Sequence, residues 1–233
     1  MRLCRFLPFA SLLLILAGCG GGNDSPTKPA PVDDGLPTGT PAADSPDHLV
    51  QRLEKTWEFG VESQYALLLA GDFRYHFSLS ADPLLANMYG ENWTRVDEIA
   101  ALTHLFHGFR NTNGDSIQGA SRIDMTPTGV NVVNDPDHPD STTQYRKCVV
   151  TSLDITIEIP SGGFEPVTYQ ISSRHELYLV RGDAAVVPPG SPADSTHWYL
   201  RRWDDLATST ASKFPVINPT SPATLGKVRS QFR

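Results

Sequence analysis

Cysteine, positive charge and long apolar runs are all scarce in this chain. Three of its 233 residues are cysteines, Cys4, Cys19 and Cys148, too few for the disulfide framework of a small secreted domain or for a thiolate zinc cluster. Lys and Arg number 19 against 26 Asp and Glu, a formal charge of −7. An acidic balance disfavours nonspecific contact with nucleic acid, and no nucleic-acid partner is expected. The main apolar stretch, Leu7 to Gly18, would reach about 18 Å as a helix at ~1.5 Å per residue, short of the about 30 Å of a bilayer core. There is no G-x-S-x-G elbow and no H-E-x-x-H. "GCGGGND" precedes no helix, so it is not a phosphate loop. "NTNGD" and "DPDHPD" lack the spacing and distant Glu of a calcium loop and read as turns. His104 and His107 can share a helix face, but two ligands are too few. No metal and no cofactor is expected.

The residues that do carry a signal begin at the N-terminus. Arg2 and Arg5 precede "FLPFASLLLILAG", a basic region followed by an apolar stretch of signal-peptide length. No A-x-A site comes after it. Leu16-Ala17-Gly18-Cys19 instead resembles the lipobox of bacterial lipoproteins. The resemblance implies removal of residues 1–18, a diacylglyceryl group on the Cys19 thiol and membrane anchoring through the acyl chains. Gly20, where an Asp would mark retention, implies an outer-membrane address in a bacterial envelope. Losing residues 1–18, which hold two arginines and no acid, takes the charge from −7 to −9. Cys148 is then left without a cysteine partner and reads as a structural thiol. Glycine, proline and small polar residues dominate the stretch after Cys19, so 19–45 reads as a flexible tether.

The patterned part starts with Ser45 as a helix cap, Pro46 and Asp47 in the first turn, and Leu49, Val50, Leu53 and Trp57 at helical spacing up to Gly60. "ESQYALLLAG" predicts a second, short helix ending at Gly71. Phe73, Tyr75 and Phe77 then alternate with Arg74 and His76 as a half-buried strand. Thr94 and Asp97 suggest a capping box, opening a helix with a buried stripe of Ile99, Leu102, Phe106 and Phe109. After it every convincing element up to Leu206 is a strand. "SIQGASRIDMTPTGVNVV" gives one or two around Pro127. A long strand carries Tyr145, Val149, Leu153, Ile155, Ile157 and Ile159 on one face. "SGGFEP" turns into another long strand, and a last one carries Trp198, Leu200 and Arg202 on one side. In the Ser/Thr/Pro-rich tail, 207–233, Leu225, Val228 and Phe232 have the spacing of a short helix that docks back. Helices in front of an antiparallel sheet, with no βαβ alternation, predict an α+β domain over 46–206.

This order resembles the nuclear transport factor two-like superfamily, which includes ketosteroid-isomerase-like and polyketide-cyclase-like proteins. "LVQRLEKTWEFGVESQYALLLAGDFRYHFS" is similar to its opening helices and first strand, and "LYLVRGDAA" and "WYLRRWDDL" to its last two strands. The resemblance implies a cone-like curved antiparallel sheet packed on N-terminal helices around a cavity, and a homodimer through the sheet face. The isomerase branch implies an acid, a Tyr and a protonated Asp in that cavity; no position here matches the full set. Trp57, Phe73, Tyr75 and Trp198 are the candidate aromatic lining, with Tyr65 beside them. Tyr145, His175 and Arg202 are the candidate polar cluster, read either as a site for a small anion or as a satisfied network. The functional expectation is a lipid-anchored noncatalytic module that binds a small molecule or protein partner. An enzyme of isomerase, cyclase or hydrolase type is the alternative.

Overall fold

A computed structural model describes residues 34–89, 93–161, 164–182, 185–189, 191, 193–207, 220–222 and 224–233. Cys19, residues 1–18 and most of the expected tether lie outside them, as do residues 208–219 of the tail. The described part belongs to one unit, Asp34–Arg233.

Ser45 caps α1 (Pro46–Glu58) by accepting the His48 amide at 3.2 Å, satisfying one of the free donors of the first turn. Helix α1 buries Leu49, Val50, Leu53 and Trp57. Gly60, at φ 61°, takes a conformation that suits glycine and turns the chain into α2 (Glu62–Leu68). Strand β1 (Leu69–His76) comes next without a loop, starting three residues before Asp72, where the alternation first becomes legible. A short helix the sequence did not announce, α3 (Pro83–Tyr89), leads towards β2 (Trp93–Thr94) and α4 (Arg95–His107). The capping box at Thr94 and Asp97 is present. A small hairpin of β3 (Phe109–Arg110) and β4 (Ser116–Ile117) precedes three long strands, β5 (Arg122–Asn134), β6 (Tyr145–Ser161) and β7 (Phe164–Arg181). Then come β8 (Trp198–Asp205), β9 (Thr220–Pro222) and α5 (Leu225–Gln231).

The main sheet runs β2-β1-β8-β7-β6-β5, with β9 also paired to β7. Helices α1, α2 and α4 pack on one face of it. The domain is α+β, a curved sheet wrapped on helices, as the sequence resemblance implied. The sheet is mixed, however, and not wholly antiparallel: β1 pairs with β8, and β7 with β9, in parallel. A β1–β8 pair is joined by nearly the whole domain and not by a hairpin, so parallel pairing is open to it. Pro127 sits opposite Leu153 within the β5–β6 ladder, tolerated because β5 closes the sheet at its edge.

The segment read as tether is packed at its end. Arg52 pairs with the Asp34 carboxylate and donates to the Pro41 carbonyl at 3.1 Å. The Trp198 amide donates to the Ala43 carbonyl at 2.7 Å.

Candidate functional site: a buried guanidinium inside the cone

Helix α5 packs against α4 and α3. Its N-cap Thr224 hydroxyl accepts the Lys227 amide at 3.0 Å and also bonds the Asp82 carboxylate. At its other end the His104 ring Nδ1 donates to the Phe232 carbonyl at 2.7 Å. Leu225, Val228, Arg229 and Phe232 are all buried. They stand at i, i+3, i+4 and i+7, one continuous helix face. Arg229 therefore occupies a core position of that face, and the fold carries its guanidinium into the cone.

There Arg229 meets Glu98 of α4. Nη2 is 2.7 Å from Oε1, and neither side chain has any solvent exposure. The Glu98 carboxylate also accepts the Tyr65 hydroxyl at 2.5 Å on Oε1 and the Trp93 indole N–H at 2.9 Å on Oε2. Rings surround the cation: Arg229 Cζ lies 4.0 Å from the Tyr75 centroid, 4.4 Å from Trp203 and 5.6 Å from Trp57. Such rings offer a negative face to a cation, and the attraction strengthens when water is excluded. The guanidinium is nonetheless incompletely served. None of its three nitrogens meets an acceptor at good hydrogen-bond angles, although the Glu98 carboxylate and the Tyr65 and Tyr75 hydroxyls all interact with it.

Two further polar groups sit among these rings. The Asp205 carboxylate accepts the Tyr75 hydroxyl at 3.1 Å and the Ala207 amide at 2.9 Å. His175 accepts the Trp203 indole N–H on Nδ1 at 3.0 Å, and Nε2 lies 2.8 Å from the Ser173 hydroxyl. An indole only donates, so Nδ1 carries no proton and the ring is neutral. Burial pushes the His175 pKa down to about 4, with Asp205 working weakly against it. Burial, reinforced by Glu98 and Asp205 respectively, holds the Tyr65 and Tyr75 phenols well above their usual range. Each interior acid thus accepts from two donors or more, and the imidazole is engaged on both nitrogens.

The residues singled out from sequence divide between the two faces. Trp57, Phe73, Tyr75 and Trp198 are buried in the core, as is His175. Arg202 and Tyr145 are on the outer side, a correction with one cause in each strand. In β8 the register skips Arg201 between Leu200 and Arg202. That β-bulge turns Arg202 outward and brings Trp203 and Asp205 inward. In β6 the register shifts between Val150 and Leu153, so the inward set is Cys148, Val150, Leu153, Ile155 and Ile157, and Tyr145 and Val149 fall on the other face. Helix α4 is also rotated from its expected stripe. It buries Glu98, Ala101, Leu102 and Leu105, leaving Ile99 and Phe106 half-buried. The sequence reading therefore passed over Glu98, Trp93, Trp203, Asp205 and Arg229. The signal available for Arg229 was its place beside Val228, four residues after Leu225.

The outward residues build a groove of about 350 Å³ lined by Asp72, Arg74, His76, His138, Tyr178 and Arg202, among others. Arg202 Cζ stacks 3.4 Å from the Tyr178 centroid and its Nη1 donates to Asp137 at 2.9 Å. Arg201 Nε donates to Asp72 at 2.9 Å, and His138 stacks on Tyr145 at 3.8 Å between centroids. His76 meets Asp204 at 2.9 Å. Among the described residues no group of three or more His, Cys, Asp or Glu is arranged to hold a metal, and no helix is long and apolar enough to cross a membrane.

No family profile matches the chain, and no curated protein sequence does. Solved structures similar to it include an NTF2-like protein of unknown function in nutrient uptake from Rhodospirillum rubrum, 14% identical, covering 68% of this chain and 94% of that one at a TM-score of 0.39. A function-unknown protein from Mycobacterium tuberculosis is 11% identical over 80% and 88% of the two chains, with a TM-score of 0.42. A putative polyketide cyclase from Xanthomonas campestris is 9% identical over 80% and 96%, with a TM-score of 0.34. At scores this low the function of this chain has to be read from its own geometry.

Proposed function

We propose that this chain is a lipid-anchored bacterial envelope protein, held at the outer membrane through acyl chains on Cys19, whose α+β domain binds a partner and performs no chemistry on it. The observation that carries the noncatalytic part is the occupied interior. The Arg229–Glu98 pair, with no solvent exposure on either side chain, fills the interior between the helices and the sheet. The interior acids and His175 are spent on internal partners, so none is poised as a base. Binding falls to the outer groove, where Arg202, stacked on Tyr178, stands among Asp, His and further Arg side chains. That mixture suits a polar small molecule or the polar side chains of a protein, including a second copy docked on the sheet face. The isomerase or cyclase reading draws support from the Tyr65–Glu98 and Tyr75–Asp205 pairs, which are the right groups but are not open to a substrate.

Native mass spectrometry of the full chain, extracted gently from its host in mild detergent, tests both parts. The mature mass should begin at Cys19 and carry the lipid; a chain retaining residues 1–18 would sink the anchor. An adduct or bound partner lost in both Tyr178→Ala and Arg202→Ala supports the groove. Adducts indifferent to both substitutions, or a bare mass at every concentration, would refute it.

A further inference from the structure

Most of the contacts that hold the cage around Arg229 come from outside α5, which adds the Gly226 amide on Asp205 at 3.4 Å. Glu98 is held by Tyr65 of α2 and Trp93 of β2. Tyr75 is fixed by Asp205, and Trp203 by His175. Trp57 is braced edge-on by Tyr65 and Phe106, at 6.2 and 6.3 Å between centroids. If α5 withdrew, a buried carboxylate and three aromatic rings would remain in place with the cation missing. Such a set is a preorganised receptor for a planar organic cation.

Two features make the present occupant replaceable. Helix α5 has seven residues, too few to be stable alone, and is not part of the sheet ladder. The Arg229 guanidinium is also an imperfect guest. Its Nε, Nη1 and Nη2 are buried without an aligned acceptor, and an unmade buried hydrogen bond weakens the state that contains it. A free ligand of the same chemistry, not constrained by a helix backbone, can turn to align its donors with Glu98.

We infer that the cone is a binding site for an alkylguanidinium compound, and that Arg229 is its resident, exchangeable occupant. The site is separate from the outer groove and does not depend on the groove's function. It recognises positive charge through Glu98, planarity through Tyr75 and Trp203, and a short apolar stem through the space that the Arg229 methylenes fill. In the plugged state the site is covered by the protein's own C-terminal helix, so a ligand binds by displacing α5.

The experiment uses the full chain. Arg229→Ala removes the atoms that make up ethylguanidinium, which is therefore the probe; N-ethylurea is the neutral compound of the same shape. Ethylguanidinium should raise the melting temperature of the variant saturably, by about 3 °C at ten times its Kd, with ethylurea giving no rise and ethylammonium a smaller one. If the variant does not fold alone, recovery of its far-ultraviolet dichroism by ethylguanidinium and not by ethylurea reads the same binding. In the unsubstituted chain the probe should speed hydrogen exchange of the α5 amides saturably, while those of β6 and β7 stay unchanged. Equal responses to ethylguanidinium and ethylurea, or none to either, would overturn the receptor. Rescue of the variant without any change at α5 in the unsubstituted chain would overturn the exchange, leaving Arg229 a fixed core residue. Dimerisation that grows with concentration and is lost in Arg229→Ala would overturn the small-molecule ligand in favour of α5 exchanging between copies.

Discussion

Replacing Glu98 by Gln keeps the side-chain shape and removes the charge that faces Arg229. In the native protein that charge is 2.7 Å from Nη2, and neither partner is exposed. With the carboxylate gone, the guanidinium stays buried with only the aromatic rings and the Tyr65 and Tyr75 hydroxyls around it. The new amide N–H₂ must also point at the Tyr65 hydroxyl or at the Trp93 N–H, both of which now donate. Breaking a buried pair from one side costs about 3–5 kcal/mol. For a domain of this size each kcal/mol moves the melting temperature by about 2–4 °C, so a fall of roughly 6–20 °C is expected. Arg229→Met, which leaves Glu98 still served by Tyr65 and Trp93, should cost less. The double variant should then be more stable than the two single losses added together, by about 2 kcal/mol or more. Urea or thermal denaturation of the four proteins in one buffer measures this. A melting temperature of Glu98→Gln within about 3 °C of the parent, or strict additivity in the double variant, would show that the pair does not hold the interior as argued.

Other outcomes rest on single contacts. His175 is neutral in the native state, with its pKa pushed down to about 4 from 6.5 by burial. The unfolded chain therefore binds the proton first as pH falls. Stability is full above about 6.5 and is lost between there and about 4, by about 3 kcal/mol in all at about 1.4 kcal/mol per pH unit. Urea midpoints across that range should differ in slope between the parent and His175→Gln; parallel curves would contradict the burial argument. Gly226→Ala would place a methyl 2.6 Å from Phe77 Cδ1, so α5 should dock less well, seen as faster exchange at α5 with the long strands untouched. Cys148 has no solvent exposure and its thiol is pushed up to about 12 by burial; alkylation should track global unfolding, and rapid labelling of the native protein would place it elsewhere. Arg202→Ala, on the half-exposed outer face, should cost under about 1 kcal/mol in the same urea assay.

What sequence alone determined here was local or periodic. Ser45 with Pro46 marks a helix start because a cap and a fixed φ act within one turn. The Thr94–Asp97 box does the same for α4. Phe73, Tyr75 and Phe77 declared their face because burial alternates without a break from Phe73 to Phe77. The spacing of Leu225, Val228 and Phe232 showed the apolar face on which α5 docks. Tertiary structure decided what depends on a break in the period or on a distant partner. One extra residue at Arg201 reverses every side chain after it in β8, and alternation read straight through such a bulge sends Arg202 inward in place of Trp203. Helix α4 turns to bury Glu98 because a cation arrives there from a helix at the far end of the chain, and hydrophobic spacing cannot register a charge that is neutralised across such a separation. The parallel β1–β8 pair is likewise a pairing between the two ends of the domain. The candidate site is therefore the part least visible in sequence: its acid and its cation each look like surface residues until the fold places one against the other and excludes water from both.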